Sequence, residues 1–191
     1  MPTNALGREI PGELGGRPLR PYQGAFVTVP AGRRAGGPLK TIRPGADKVA
    51  PSLEEAIRRS GLRDGMTISF HHCFRDGDRL VLQVVDACTQ LGIGDLRLFA
   101  TALFPCHEPL VRYIQEGVLT RIEGSLNGPI GAFVSQGGKL REPPILRSHG
   151  GRWRAVACGE VGIDVAFIAA SEADSYGNAN GINGPHACGP I

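Results

Sequence analysis

Residues 66–101 read "MTISFHHCFRDGDRLVLQVVDACTQLGIGDLRLFAT", and the succession of patterns in that stretch decides the fold class. "MTISF" (Met66–Phe70) is an apolar run of strand length. "DRLVLQVVDACTQLG" then places Leu80, Val84, Ala87, Cys88 and Leu91 on one helical face. "DLRLFAT" is apolar again and predicts a second strand. A strand, a helix and a strand in close succession form a βαβ unit with parallel strands.

The pattern continues on both sides. Upstream, "PSLEEAIRRSGL" predicts a helix with Ser52 as N-cap, Glu54 and Glu55 in the first turn, Arg58 and Arg59 in the last, and Gly61 as the stop. Downstream, "EPLVRYIQEG" reads as a helix closed by Gly117 and "VLTRIEG" as a third strand. "GPIGAFVSQGG" is a short helical or looped element, and "PPILRSHGG" and "DVAFIAAS" supply two more apolar strands. Apolar runs that are continuous rather than alternating predict strands covered on both faces. The expected fold class is therefore α/β, a parallel-rich central sheet flanked by helices. In such sheets ligands bind beyond the carboxyl ends of the strands, and each polar motif here lies just after a strand.

The chain has 191 residues, 41% hydrophobic and 20% charged, with a net charge of +3. That suits one soluble domain of residues 51–191 preceded by an irregular arm of residues 1–50, rich in Gly, Pro, Arg and Lys, with one apolar patch at "YQGAFVTVP" (Tyr22–Pro30). No like-charge run argues for nucleic acid, no apolar segment approaches the ~20 residues of a membrane span, and a polar start predicts the cytosol. The five cysteines, at 73, 88, 106, 158 and 188, are scattered without a CxxC pair, so reduced thiols are expected rather than a disulfide framework or structural zinc. No GxGxxG or Walker loop follows a strand, which argues against a dinucleotide or ATP site of the usual form.

Four motifs carry possible chemistry. In "HHCFRDGD" (His71–Asp78), neighbouring side chains of an extended segment point apart and share one metal ion poorly. An anion-binding turn before a helix N-terminus, or histidines that only bond within the turn, both remain open. "ATALFPCHEP" (Ala100–Pro109) brings Cys106 and His107 either to the same cleft or, more simply, to the start of a helix. "RSHGGRWRA" (Arg147–Ala155) gathers Ser148, His149, Gly150, Gly151 and Arg152, donors suited to an anion or members of a solvated Gly-Gly turn. Ser148 and His149 have no identifiable acidic partner, which weakens a serine-nucleophile reading. "EADSYGNANGINGPHACG" (Glu172–Gly189) has the length and the Asn/Gly content of a ligand loop.

Several stretches together resemble the citrate lyase α-subunit family. They are "GLRDGMTISFHHCFRDGD", "SHGGR" and "GEVGIDVAFIAASEADSYGNANG", with "GREIPGELGGRPLRPYQGAF" and "LVRYIQEGVLTRI" in support. The resemblance implies a fold of the CoA-transferase superfamily and a citrate CoA-transferase activity. Acetyl-S-carrier and citrate would become citryl-S-carrier and acetate, with a citrate carboxylate attacking the thioester through a mixed anhydride. It implies as partners the citryl-lyase β subunit and the acyl-carrier γ subunit, and a homo- or hetero-oligomer. The thiol belongs to a CoA-like phosphopantetheine group on the carrier, so this chain would bind neither a cofactor of its own nor a metal.

On the same resemblance, His71 and His72 are expected at the reacting thioester, with Cys73 and Phe74 contributing backbone amides. Ser148, His149, Gly150, Gly151 and Arg152 would meet citrate carboxylates or the pantetheine arm. Gly177, Asn178, Asn180 and Gly181 would shape the acyl pocket. Family members are more than twice as long and carry a second, similar domain, so this chain is expected to hold half a site. Another acyl-CoA transferase or thioesterase would need a glutamate nucleophile that the sequence does not identify. A non-catalytic assembly remnant is the remaining alternative.

Overall fold

β3 (Thr67–Phe70) is the strand around which the computed structural model, describing residues 1–14, 16–21, 23 and 47–182, is organised. On one side it pairs in parallel with β4 (Leu96–Leu103), which pairs with β5 (Leu119–Leu126) and then β6 (Ile145–Leu146). On its other side it pairs in parallel with β7 (Val165–Phe167). The strand order β6-β5-β4-β3-β7 therefore runs outward from β3 three times and then returns across it. Two small hairpins stand apart, β1 (Glu13–Leu14) with β2 (Arg17–Pro18) and β8 (Glu172–Ala173) with β9 (Ala179–Asn180).

The helices form where local chemistry favours them. α1 (Leu53–Ser60) opens on Ser52, whose Oγ accepts the Glu55 N–H at 3.2 Å, and closes on Gly61 at φ 74°. α2 (Leu80–Gln90) buries Val81, Val84, Val85, Ala87 and Cys88. α3 (Leu110–Gln115) and α4 (Pro129–Ser135) follow β4 and β5, and the "GPIGAFVSQGG" segment is thus helical. These four helices share one large core with Ile68, Phe70, Leu96, Leu98, Ala100, Leu119 and Ile122.

α5 (His149–Ala157) belongs to a second, smaller cluster, where Ala155 packs with Phe99, Val161 and Ile163. Alternation along β4 puts Phe99 on the face opposite Leu98 and Ala100. That second face also carries Ser69, Arg97, Thr101 and Glu123, so the strands alternate instead of running apolar throughout. The continuous apolar pattern expected from sequence fails because α5 covers this face with polar contacts. Glu123, buried, accepts from Arg147 Nε at 2.7 Å and has Arg97 Nη1 at 3.7 Å.

Two sequence expectations change in length. "PPILRSHGG" yields a strand of only Ile145–Leu146, since Ser148 begins α5, and "DVAFIAAS" is ordered as strand only at Val165–Phe167. Apart from Gln23, the apolar patch at residues 22–30 lies outside the described residues.

Gly124 marks the irregularity between β4 and β5, whose register shifts between Phe99 and Ala102. Its φ of 145° and its contact with the Ala100 carbonyl leave no room for a Cβ.

Candidate active site

The connections from β3 to β6 lie on one face and α5 lies on the other, so the carboxyl ends of β3 and β7 flank the point where the chain reverses direction across the sheet. A crevice at such a point is where open α/β sheets bind ligands. Here it is a cavity of about 350 Å³. Ser69 and Phe70 reach it from β3, His71 from just after that strand and Thr101 from β4, while Ala166 comes from β7, Ile168 from just after it and Ile163 from just before it. His149, Arg152, Trp153 and Val156 come from α5. Among the described residues no carboxylate lines it.

Arg152 is the fixed charge of the site. Its Nη2 donates to Ser69 Oγ at 2.7 Å and its Nη1 to the Phe99 carbonyl at 2.9 Å, with the guanidinium 4.0 Å over the Phe99 ring. All of these partners are neutral. Burial lowers its pKa to about 10, which still leaves it charged at neutral pH. A cation held by neutral groups keeps its field available to an incoming anion.

Three imidazoles lie in or beside the same cavity. The His71 and His72 rings lie 4.8 Å apart, and His149 meets His72 edge-on at 5.2 Å. Burial pushes the pKa of both His71 and His72 down; for His71 the Arg152 and His149 charges add to this, and for His72 those of His71, His149, Arg75 and Arg152 do. Both rings are thereby biased toward the neutral form at neutral pH. Their Nδ1 atoms are buried without a hydrogen-bond partner among the described residues. A buried polar nitrogen left unpaired costs roughly 1–3 kcal/mol, which a ligand able to bond it would offset. A fixed guanidinium, neutral imidazoles and no acid together favour a carboxylate or a developing oxyanion.

The expected residues divide. His71, His149 and Arg152 line the cavity, and His72 lies against two of its histidines. Ser148 Oγ is used as the N-cap of α5, accepting the Gly151 N–H at 3.1 Å. Gly150 and Gly151 stand in the first turn of that helix, not in a Gly-Gly turn. Cys73 is half-buried and Phe74 exposed in the turn after His72, and neither lines the cavity.

Gly177, Asn178 and Asn180 lie in the β8–β9 hairpin, with Gly181 just after it. Asp174 holds its tip, accepting the Tyr176 and Asn178 N–H groups at 2.9 Å. The hairpin borders a separate groove with Glu172 and Asp174 and shares no residue with the histidine cavity. Ser69, Thr101 and Trp153 were not anticipated. The available signal was a hydroxyl inside each of two buried strands.

Cys106 and His107 form another constellation with Asp78. Cys106 Sγ is 3.5 Å from His107 Nδ1, and His107 Nε2 is 3.5 Å from Asp78 Oδ2. The connectivity resembles a nucleophilic triad, but the hydrogen bonds oppose that role. His107 Nδ1 already accepts the Phe104 N–H at 2.9 Å, and the Cys106 thiol faces the Arg75 and Asp78 carbonyls at 3.7 and 3.6 Å. Burial, followed by the hydrogen bond and charge of Asp76, pushes the thiol pKa up, away from thiolate. Helix-start chemistry accounts for the motif. Among the described residues no group of three or more His, Cys, Asp or Glu side chains is arranged to hold a metal ion, and no helix is long and apolar enough to cross a membrane.

Comparison with known proteins bears on the whole arrangement. Residues 46–191 match the family model of the citrate lyase alpha subunit (CitF). The citrate lyase alpha chain of Escherichia coli (strain K12) is 50% identical over 145 residues, 75% of this chain and 28% of that protein. Its counterpart from Klebsiella pneumoniae is 47% identical over 146 residues, again 75% of this chain and 28% of that protein. A crystal structure from Streptococcus mutans, of a chain assigned as the alpha subunit of citrate lyase in complex with citrate, superposes with a TM-score of 0.79. That pair is 39% identical and covers 98% of this chain and 36% of the other. The chain thus spans little more than a quarter of the length of the curated relatives it matches.

Proposed function

The chain belongs to the citrate lyase alpha-subunit family, and from that premise we propose that its histidine–arginine cavity binds citrate for acyl exchange with a carrier thioester. The reaction is acetyl-S-carrier plus citrate to citryl-S-carrier plus acetate. The observation that carries this reading is Arg152, held by Ser69 and two backbone carbonyls in a cavity that no acid lines among the described residues. Its charge would meet a citrate carboxylate, and the neutral His71 and His72 rings would donate to citrate oxygens or to the oxyanion that develops as the thioester carbonyl is attacked. Ile163, Ala166 and Ile168 with Trp153 and Val156 give the cavity an apolar mouth, compatible with the uncharged pantetheine arm of the carrier's phosphopantetheine group.

On this reading residues 51–191 are the first part of a larger catalytic unit, and residues 1–50 are an arm laid over it or over a partner. The rest of the site would come from the portion that the longer relatives possess. The citryl-lyase β subunit and the acyl-carrier γ subunit complete the proposed assembly, and its setting is the cytosol. The test is to mix purified chain with acetyl-carrier and labelled citrate, alone and with the remaining portion of a relative's chain. Citryl-carrier formed only on complementation is the expected result. Turnover by this chain alone would overturn the half-site reading, and no transfer in either mixture would overturn the activity.

A further inference from the structure

The turn that carries the histidine pair is tied down by residues that never touch the cavity. After His72 the chain bends through Cys73 and Phe74 into a short 3-10 turn at Arg75–Gly77. The Arg75 N–H donates to the His72 carbonyl at 3.0 Å, so the placement of Arg75 sets that of His72. Arg75 itself has a φ of 50°, a conformation that a residue with a Cβ adopts reluctantly. Such backbone persists only where its surroundings over-determine it.

The surroundings are the connection from β4 to α3. The Cys106 N–H donates to Asp76 Oδ1 at 2.9 Å, and its thiol faces the carbonyls of Arg75 and Asp78. Asp78, buried, accepts the Leu80 N–H at 2.8 Å and lies beside the fully buried His107. Phe104, two residues before Cys106, places its ring 6.1 Å from that of His72. The strained turn is therefore clamped at its middle by residues that do not line the cavity.

We propose that Asp76 and Cys106 are positioning residues, whose hydrogen bonds between the Arg75–Asp78 turn and the β4–α3 connection hold His72 against His71 and His149 in the cavity. This inference rests on the citrate reading of that cavity, but its first readout does not. Freed of the clamp, Arg75 relaxes toward ordinary φ, its bond to the His72 carbonyl is lost, and the His72 ring moves into water, away from His71, His149, Arg75 and Arg152.

The experiment uses the full 191-residue chain. The C2–H resonance of His72, assigned with His72→Gln, is followed through pH by NMR, and citrate affinity is measured by calorimetry. In Asp76→Ala and Cys106→Ala the His72 titration is expected to move up toward that of a solvated histidine, and citrate binding to weaken at least fivefold. Asp76→Asn keeps an acceptor and Cys106→Ser keeps a donor, so both should stay within twofold of the parent. Ile130→Val, a core change in α4, should lower stability without moving the His72 titration. An unmoved His72 titration in Cys106→Ala and Asp76→Ala overturns the proposal, and Asp76→Ser, too short to reach the Cys106 N–H, takes the place of Asp76→Ala if that variant does not fold. A shifted titration in a chain that never binds citrate would sustain the clamp and sink the citrate reading.

Discussion

Arg152 and Ser69 are joined by a 2.7 Å hydrogen bond across 83 residues of sequence, and this contact couples α5 to β3. It also spends part of the guanidinium fork on the protein, so the charge is aimed before any ligand arrives. Arg152→Ala is expected to weaken citrate binding at least tenfold, about 1.4 kcal/mol. Arg152→Lys keeps the charge but cannot bridge Ser69 and the Phe99 carbonyl together, and should fall between. Calorimetric titration of citrate measures both. Parent affinity in Arg152→Ala would remove Arg152 from the site.

His72→Ala is expected to lower acyl transfer at least tenfold, about 1.4 kcal/mol of barrier, when the chain is complemented by the rest of a relative. The fold should survive, because His72 belongs to neither apolar cluster. Wild-type turnover in this variant, with an unchanged circular dichroism spectrum, would exclude the histidine pair from the mechanism.

The depressed histidines set a sign for stability against pH. In the unfolded chain His71 and His72 titrate near ~6.5, whereas in the fold both pKa values lie lower. Between the folded and unfolded values the unfolded state binds more protons, so stability rises with pH there. The contribution is complete above the unfolded pKa and is lost as pH falls toward the folded one. The melting temperature of the parent should therefore drop on acidification from about pH 8 to 5.5 more than that of a His71→Gln/His72→Gln double variant. Equal slopes would refute the depression.

Gly124→Ala should destabilise by about 3 kcal/mol or more, because it adds a Cβ against the Ala100 carbonyl at a backbone angle that suits glycine. Urea midpoints report this directly. Gly150→Ala, at a position open to solvent in the first turn of α5, should be neutral or slightly stabilising and serves as the control.

Glu123→Ala leaves Arg147 and Arg97 facing a buried gap, and a cost of about 3 kcal/mol is expected from breaking a buried pair. Arg147 retains Glu160 at 3.3 Å, so the loss should fall at the low end for such pairs. Denaturant unfolding measures it.

The parallel sheet was legible because each strand–helix step carries its own signal, the switch from an apolar run to a 3.6-residue period. Ser52 and Gly61 mark α1 in the sequence as they do in space. The polar second face was harder to see. Ser69 and Thr101 look like tolerated hydroxyls until α5 arrives with Arg152, and no local pattern reports a partner 83 residues away. His71, His149 and Arg152 were identifiable as residue types at strand ends, while their convergence depends on the chain crossing back over β3. The Asn/Gly segment is ambiguous for the opposite reason. Its composition fits a ligand loop and equally fits a hairpin whose tip is held by Asp174.

The return of β7 to the far side of β3 has a consequence for biosynthesis. A nascent chain leaving the ribosome has the large apolar core in hand once α4 is synthesised, whereas Arg152 and β7 emerge only afterwards. Competence to capture a tricarboxylate should then lag behind compaction. Stalled intermediates ending after Ser135 would resist protease yet ignore citrate, and ones extended past Ile168 would acquire both properties.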